Sequence, residues 1–375
     1  MKRVTALTFL NYFVSGGLTL AIPLLLLDRN IDLAEIGVIL SVLPLVFLSV
    51  RMFFAALADQ IGWAPLFILF NWPATLISTA IYFLANSVPA FLLGKTVEGV
   101  KESAYWAINR TAIFSLSPKK EEKEATRINA VIWLATAIGS AAAGIGIAYV
   151  GFSSTLGIML IASAAMGIPA FLLNHARKRH AQLKIPDMLA SLNPRGRDRT
   201  FWLVSIVLLF NSLATYPLIT LLLPAFMDQQ LRYDYVSIGL AFMLYNVVAA
   251  IVALGTLKRT LNIKRVVVQS LIGLSATLLL ASSGFYFPAL FLALAVTRGL
   301  GIGFFESIIA KVSKNSQSVS VDIGLLHIPT RFAEFASVLS AGFITQSFGY
   351  APVFVASGIF FTVFSVSSLY ILKFQ

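Results

Sequence analysis

The stretch KTVEGVKESAYWAINR, Lys95 to Arg110, holds five ionisable residues: Lys95, Glu98, Lys101, Glu102 and Arg110. NSVPAFLLG precedes it and TAIFSLS follows it, so the charges sit inside a segment apolar enough to cross a membrane. A charge at mid-bilayer costs about 2.5–3.5 kcal/mol on insertion scales, and such groups face a cavity or a partner. Two chemistries would justify that cost. A carboxylate in a semi-dry cavity gains or loses a proton as a neighbouring cation withdraws or approaches. A lysine or arginine in the same cavity suits an anionic group on a solute. At 100° per residue, Lys95, Glu98, Glu102, Tyr105, Trp106 and Asn109 fall within about one third of the helix circumference, with Lys101 off that face. The same spacing also suits ion pairs that serve structure alone, Lys95 with Glu98 and Glu98 with Lys101. The other embedded ionisable residues are Arg51, Arg298, Glu306, His327, Arg331 and Glu334.

The elements that must position these groups are membrane helices. Of 375 residues, 58% are hydrophobic and 12% charged, against about 25% charged in a soluble domain. Mean hydropathy is +0.86. Apolar runs of about 20 residues recur along the whole chain, too long and too continuous for barrel strands. About twelve spans are expected, near 4–27, 36–58, 64–84, 88–112, 128–150, 153–173, 200–226, 235–257, 263–284, 288–311, 322–346 and 350–372. The fold class is therefore an all-α membrane protein. The first span shows no convincing small-residue cleavage site and reads as a span, not a cleaved signal.

The loops alternate in charge. One set carries nearly all the Lys and Arg; the other holds only Arg29 and Arg232. Basic residues gather in cytoplasmic loops, so both termini are expected in the cytoplasm and the chain in the plasma membrane, in contact with lipid. The net charge of +12 then needs no nucleic acid. The basic stretch from Asn174 to Arg199 is either a solvated linker or lies along the inner leaflet. It separates an N-terminal six-helix bundle, 1–173, from a C-terminal one, 200–375, with 174–199 as the cytoplasmic linker. There is no cysteine, which removes disulfide and thiolate chemistry. The GLGIG run lacks the third glycine and preceding strand of a dinucleotide fingerprint, and no metalloprotease, hydrolase or phosphate-loop motif is present. Neither a cofactor, a metal nor an enzymatic activity is expected.

The two halves repeat. FLN ending at Asn11 matches LFN ending at Asn211; Pro23 before Asp28 matches Pro224 before Asp228; AEIG at Ala34–Gly37 matches VSIG at Val236–Gly239. Glu102 aligns with Glu306, and AGIGIAYVGF with AGFITQSFGY, all at an offset near 200 residues. Common order and offset indicate two parallel six-helix repeats. With ALADQIGWA between spans two and three (Leu57, Asp59 and Gly62 in place), GTLKRTLNIKR as its second copy, and Lys95 four residues before Gly99, the chain resembles the major facilitator superfamily of secondary transporters over its whole length. The fifth-span Gly-Pro signature of many family antiporters is absent.

That resemblance implies that spans one, four, seven and ten line a central cavity. Asn11, Lys95, Trp106, Asn211 and Arg298 would then contact solute, with a pair to Glu306 two turns below as the alternative for Arg298, and Glu102 and Glu306, with Glu98 behind them, would carry protons. It further implies that spans two and eleven face each other. Arg51 and Glu334, at similar depth, with Arg331 on the same face as Glu334, and Asp59 near the start of span eleven, would close the cytoplasmic side and favour an outward-facing state. The function expected is alternating-access transport of a small solute, proton-coupled, with an organic anion suited to the basic groups. Efflux of amphipathic compounds is the alternative, suited to Tyr12, Trp106 and Tyr216. A non-transporting membrane binding or scaffold protein is the alternative of another class.

Overall fold

The computed structural model describes residues 2–116, 121–173, 199–257, 263–282, 286–313 and 324–373. The side chains of Asp59 and Glu306, and the linker 174–198, lie outside the described residues. Among those described there are helices and turns and no strand. Twelve rods result: α1 (Lys2–Asp28), α2 (Leu33–Ile61), α3 (Trp63–Leu84), α4 (Val88–Leu116), α5 (121–150), α6 (152–172), α7 (Arg199–Gln229), α8 (Tyr235–Leu257), α9 (Ile263–Ser282), α10 (Phe287–Ser313), α11 (Ile328–Phe348) and α12 (Ala351–Lys373). Among the described residues eight helices are long and apolar enough to cross a membrane, counting 127–172 as one; α4 and α11, interrupted by polar and charged residues, fall short, and α10 contributes the shorter apolar stretch Phe287–Gly301. Large apolar side chains such as Leu84, Ile161, Ile168 and Phe348 stand exposed on the outside.

Local chemistry sets the ends, and it does so twice. Asp32 caps α2 by accepting the Glu35 N–H at 2.9 Å, and Asp234 caps α8 by accepting the Ser237 N–H at 2.9 Å and its hydroxyl at 2.8 Å. Such caps satisfy donors that the first helical turn leaves unpaired. The two Ser237 donors hold the exposed Asp234 carboxyl below its usual range. Gly151 parts α5 from α6 and Gly349 parts α11 from α12, both at φ +79°, a backbone region that costs a side-chain-bearing residue dearly. In α3 and α7 the ladder widens into a π-turn, Phe67–Asn71 and Leu218–Leu222, each ending two residues before a proline, Pro73 or Pro224. Proline supplies no N–H, and the wider turn re-registers the ladder around that gap.

Packing follows the repeat. Within the halves, α1 packs on α5 as α7 does on α11, and α2 on α4 as α8 does on α10. Across the halves, α2 packs on α11 and α8 on α5. These cross-contacts are closest at Gly37 with Gly342 and Gly144 with Gly239. A Cβ built on Gly37 would stand 3.0 Å from the Gly342 Cα, and one on Gly239 would stand 2.8 Å from the Gly144 Cα. Only residues without a side chain let helices approach this closely.

The two ends of the molecule differ. At the end away from the termini, one apolar core runs through both halves, from Leu18–Leu27 and Ile36–Leu40 to Leu221–Met227, Tyr245, Phe291 and Phe354. At the end bearing the termini there are two cores. One is built from the N-terminal half alone, around Val4, Phe67, Tyr105 and Met166. The other is built from the C-terminal half, around Phe201, Leu208, Leu326 and Phe364, with Met52 packed against it. Among the described residues, the end away from the termini is sealed by a core shared between the halves, and at the other end each half has its own core, with Met52 bridging them. The gate of Arg51, Asp59, Arg331 and Glu334 is an expectation for the terminal side, and the side chain of Asp59 lies outside the described residues. The apolar core and the two glycine crossings supply the closure, at the opposite end.

Candidate functional site

Between the halves lies a cavity of about 420 Å3, lined by residues of α1, α2, α4, α5, α7, α8, α10 and α11. The lining set is twice the expected one: α2, α5, α8 and α11, which make the contacts between the halves, also face the space. Of the residues expected to meet solute, Lys95, Trp106, Asn211 and Arg298 line it. Asn11 does not. It is fully buried within the N-terminal half, where Asn71 Nδ2 donates to its Oδ1 at 3.4 Å and to the Lys101 carbonyl at 3.3 Å. The π-turn that ends at Asn71 brings that amide to α1 and α4.

The charged stripe of α4 splits into two pairs. Lys95 Nζ donates to Glu98 Oε2 at 2.7 Å, and Tyr82 Oη of α3 donates to the same oxygen at 2.6 Å. Lys101, which the helical wheel turns away from the stripe, is fully buried against α1. Its Nζ donates to Ser15 Oγ at 2.6 Å and stands 2.9 Å from Glu102 Oε1, to which Ser15 Oγ also donates at 3.2 Å. Glu98, Glu102 and Ser15 face the cavity, and Lys101 lies behind them. Tyr105, expected on the wet face, instead bonds Thr8 at 3.0 Å inside the half. Each cavity acid on α4 thus has one lysine within 3 Å, and leaving either partner alone in this interior would be costly.

The residues expected to form a gate line the same cavity. Arg331 Nη1 donates to Glu334 Oε2 at 2.5 Å within α11, and Ser212 Oγ of α7 donates to Glu334 Oε1 at 3.4 Å. The Arg331 guanidinium lies 3.9 Å from the centre of the Phe47 ring, and the Arg51 guanidinium 5.2 Å from the same ring. The two arginines meet on Phe47 of α2, and the ion pair of Glu334 is made with its own helix. His327 lines the cavity at the start of α11.

Arg298 of α10 has a different environment. Its guanidinium lies 4.9 Å from the centre of the Trp133 ring on α5 and 5.5 Å from that of Tyr245 on α8. Sequence reasoning named Arg298 and missed both rings. An isolated tryptophan in an apolar span carries no sign that a cation from the other half will rest on it.

The comparisons with known proteins agree with this architecture. A structure of the human organic anion transporter MFSD10 (TETRAN) superposes with a TM-score of 0.72 at 17% identity, covering 98% of this chain and 99% of that one. A mutant form of the nucleoside transporter NupG gives 0.74 at 14% identity, covering 99% of each chain. A bacterial homologue of the human lysosomal transporter Spinster, inward-facing and occupied, gives 0.73 at 13%, covering 99% of this chain and 96% of that one. No curated protein matches in sequence. A sequence profile of the Major Facilitator Superfamily matches residues 4–316. With that profile over most of its length, and with twelve helices in two six-helix repeats around a central cavity, the chain belongs to the Major Facilitator Superfamily and is a multi-pass membrane transporter of the secondary kind.

Proposed function

We propose that this transporter moves a small organic solute by alternating access and couples that movement to protons. The observation that carries the reading is the pairing in the cavity wall: Glu98 with Lys95 and Glu102 with Lys101, all on one helix. A coupling acid must meet a different environment in each state, and a lysine that approaches or withdraws provides that difference. Glu102 is the leading carrier, because it faces the cavity while its lysine lies behind it against α1. Glu306, its repeat counterpart, remains a candidate on that correspondence alone. The halves 1–173 and 200–375 would rock about the glycine crossings, with the linker 174–199 between them.

Transport is tested with purified protein in vesicles. Glu102→Gln is expected to keep solute exchange and to lose its acceleration by a pH gradient, with Ser15 and Glu98 still near Lys101. Full acceleration in a folded Glu102→Gln protein would remove Glu102 from the mechanism. Solute binding with no flux in the wild type would favour the binding or scaffold reading instead.

The alternating loop charge supports a plasma-membrane protein with both termini cytoplasmic, its exposed apolar side chains facing lipid. The end sealed by the shared core is then the outer one. Tags at residue 1 or 375 are expected to stay unlabelled from outside intact cells; external labelling of either reverses the orientation. The solute reading that suits the basic groups is an organic anion, the class carried by the structurally similar MFSD10, an organic anion transporter. Tyr12, Trp106 and Tyr216 on the cavity wall favour, as a second reading, efflux of amphipathic compounds.

A further inference from the structure

We infer that Arg298, held between Trp133 and Tyr245, is a docking site for a flat organic anion: an aromatic or conjugated acid whose carboxylate or sulfonate meets the guanidinium while its ring lies along the apolar wall. The inference rests on the transport reading for its purpose and names the solute class of that cavity.

The cavity's other charges decide the sign. Among the described residues three acids line it, Glu98, Glu102 and Glu334, and each is taken by a base within 3 Å: Lys95, Lys101 and Arg331. A cationic solute would have to displace one of those bases. Among the described residues Arg298 has no carboxylate within ion-pair distance; two aromatic ring faces accompany it instead. Ring faces attract a cation without using up its N–H donors. A guanidinium presents five donors in a planar fork that matches carboxylate and sulfonate oxygens. Held so, Arg298 is charged and oriented; one donor is engaged by the Tyr245 hydroxyl, which leaves the other N–H groups of its fork for a ligand.

Shape decides the rest. The wall around the site includes Ile132, Leu254, Ile219 and Phe242, so most of a bound solute would meet apolar surface. The volume of about 420 Å3 lies within the range of pockets that take small organic ligands, roughly 300–1,000 Å3. An inorganic anion would leave the apolar wall unused; a flat arene with one acidic group uses both. Arg298 belongs to the C-terminal half and Trp133 to the N-terminal half. An anion on Arg298 therefore sits on a contact that spans the two halves.

The test is calorimetric titration of the detergent-solubilised protein with four naphthalene probes of one shape: the 2-sulfonate, the 2-carboxylate, the 2-methylammonium and the neutral 2-methanol. The two anions are expected to bind at least about tenfold more tightly than the cation and the alcohol. Arg298→Gln is expected to weaken both anions by about 10- to 100-fold, the loss of a charge-assisted hydrogen bond, and to leave the alcohol unchanged. Arg298→Lys keeps the charge without the planar fork, and is expected to weaken the anions several-fold. It serves also if Arg298→Gln does not fold, as judged by its unfolding transition. Equal binding of all four probes, binding of none, tighter binding of the ammonium, or unchanged anion affinity in both variants overturns the inference. Anion binding that depends on Arg298, with no flux in vesicles, would instead overturn the transport reading and leave the site standing.

Discussion

Replacing Gly144 by leucine is expected to force the sealed end open. A Cβ at this position would lie 2.3 Å from the Tyr235 carbonyl oxygen and 2.6 Å from the Gly239 Cα. Both are backbone atoms of α8 or its first turn, and no rotamer change relieves the contact. Overpacking of this kind costs about 2–3 kcal/mol, and here it falls only on the state in which α5 and α8 touch. The balance between states should shift roughly 30- to 150-fold. Gly342→Leu should act alike: its Cβ would stand 2.5 Å from the Leu33 carbonyl oxygen, and the repeat relates the two sites. The chain has no cysteine, so a single Thr19→Cys on the cavity wall reports access without further changes. In the leucine variants a membrane-impermeant maleimide added at the sealed end should label it much faster than in the parent. Equal labelling rates would mean that the glycine crossings do not set closure.

Lys95→Met should be the most destabilising single change among the α4 charges. Glu98 is 2% exposed and Lys95 4%, so the variant leaves a buried carboxylate with only the Tyr82 hydroxyl bonded to it and the charge of Lys101 farther off. Breaking one side of a buried pair costs about 3–5 kcal/mol, whereas removing both sides is often close to neutral. Thermal unfolding in detergent should therefore show a large drop for Lys95→Met and recovery of most of it in Lys95→Met with Glu98→Gln. A double variant no more stable than the single one would show that the two residues are not energetically coupled.

The periodicity and spacing of the sequence carried the fold well. Twelve apolar runs became twelve helices, and the matched AEIG/VSIG and AGIG/AGFI stretches became the two glycine crossings. They contain Gly37, Gly239, Gly144 and Gly342, paired across the repeat and not within it. The candidate site was legible only in part. A helical wheel places a residue on a face but does not say what that face meets. Lys101 looked peripheral on the wheel and is fully buried against Ser15. Asn11 looked available to solute and is tied to Asn71 through a π-turn that no apolar periodicity announces. The expected cross-helix contact of Arg51 with Glu334 was inferred from depth alone. In the structure an i,i+3 partner, Arg331, reaches Glu334 first, because a neighbour on the same helix needs no particular domain arrangement to stay close. The seal at the end away from the termini was not legible for a related reason. Charges are conspicuous in a membrane sequence, but here an apolar core and bare glycines do the sealing.

Coupling of solute to protons is the central claim, and its most direct test is the lumenal pH of sealed vesicles. Naphthalene-2-sulfonate is a suitable probe because it stays ionised and does not carry protons across lipid by itself. With a trapped pH dye and no gradient imposed, adding the sulfonate to vesicles holding the wild-type protein should change lumenal pH as the probe enters. The sign of the change distinguishes cotransport from exchange, and vesicles holding Glu102→Gln should show probe entry without it. Entry of the probe through the wild-type protein at unchanged lumenal pH would contradict the account.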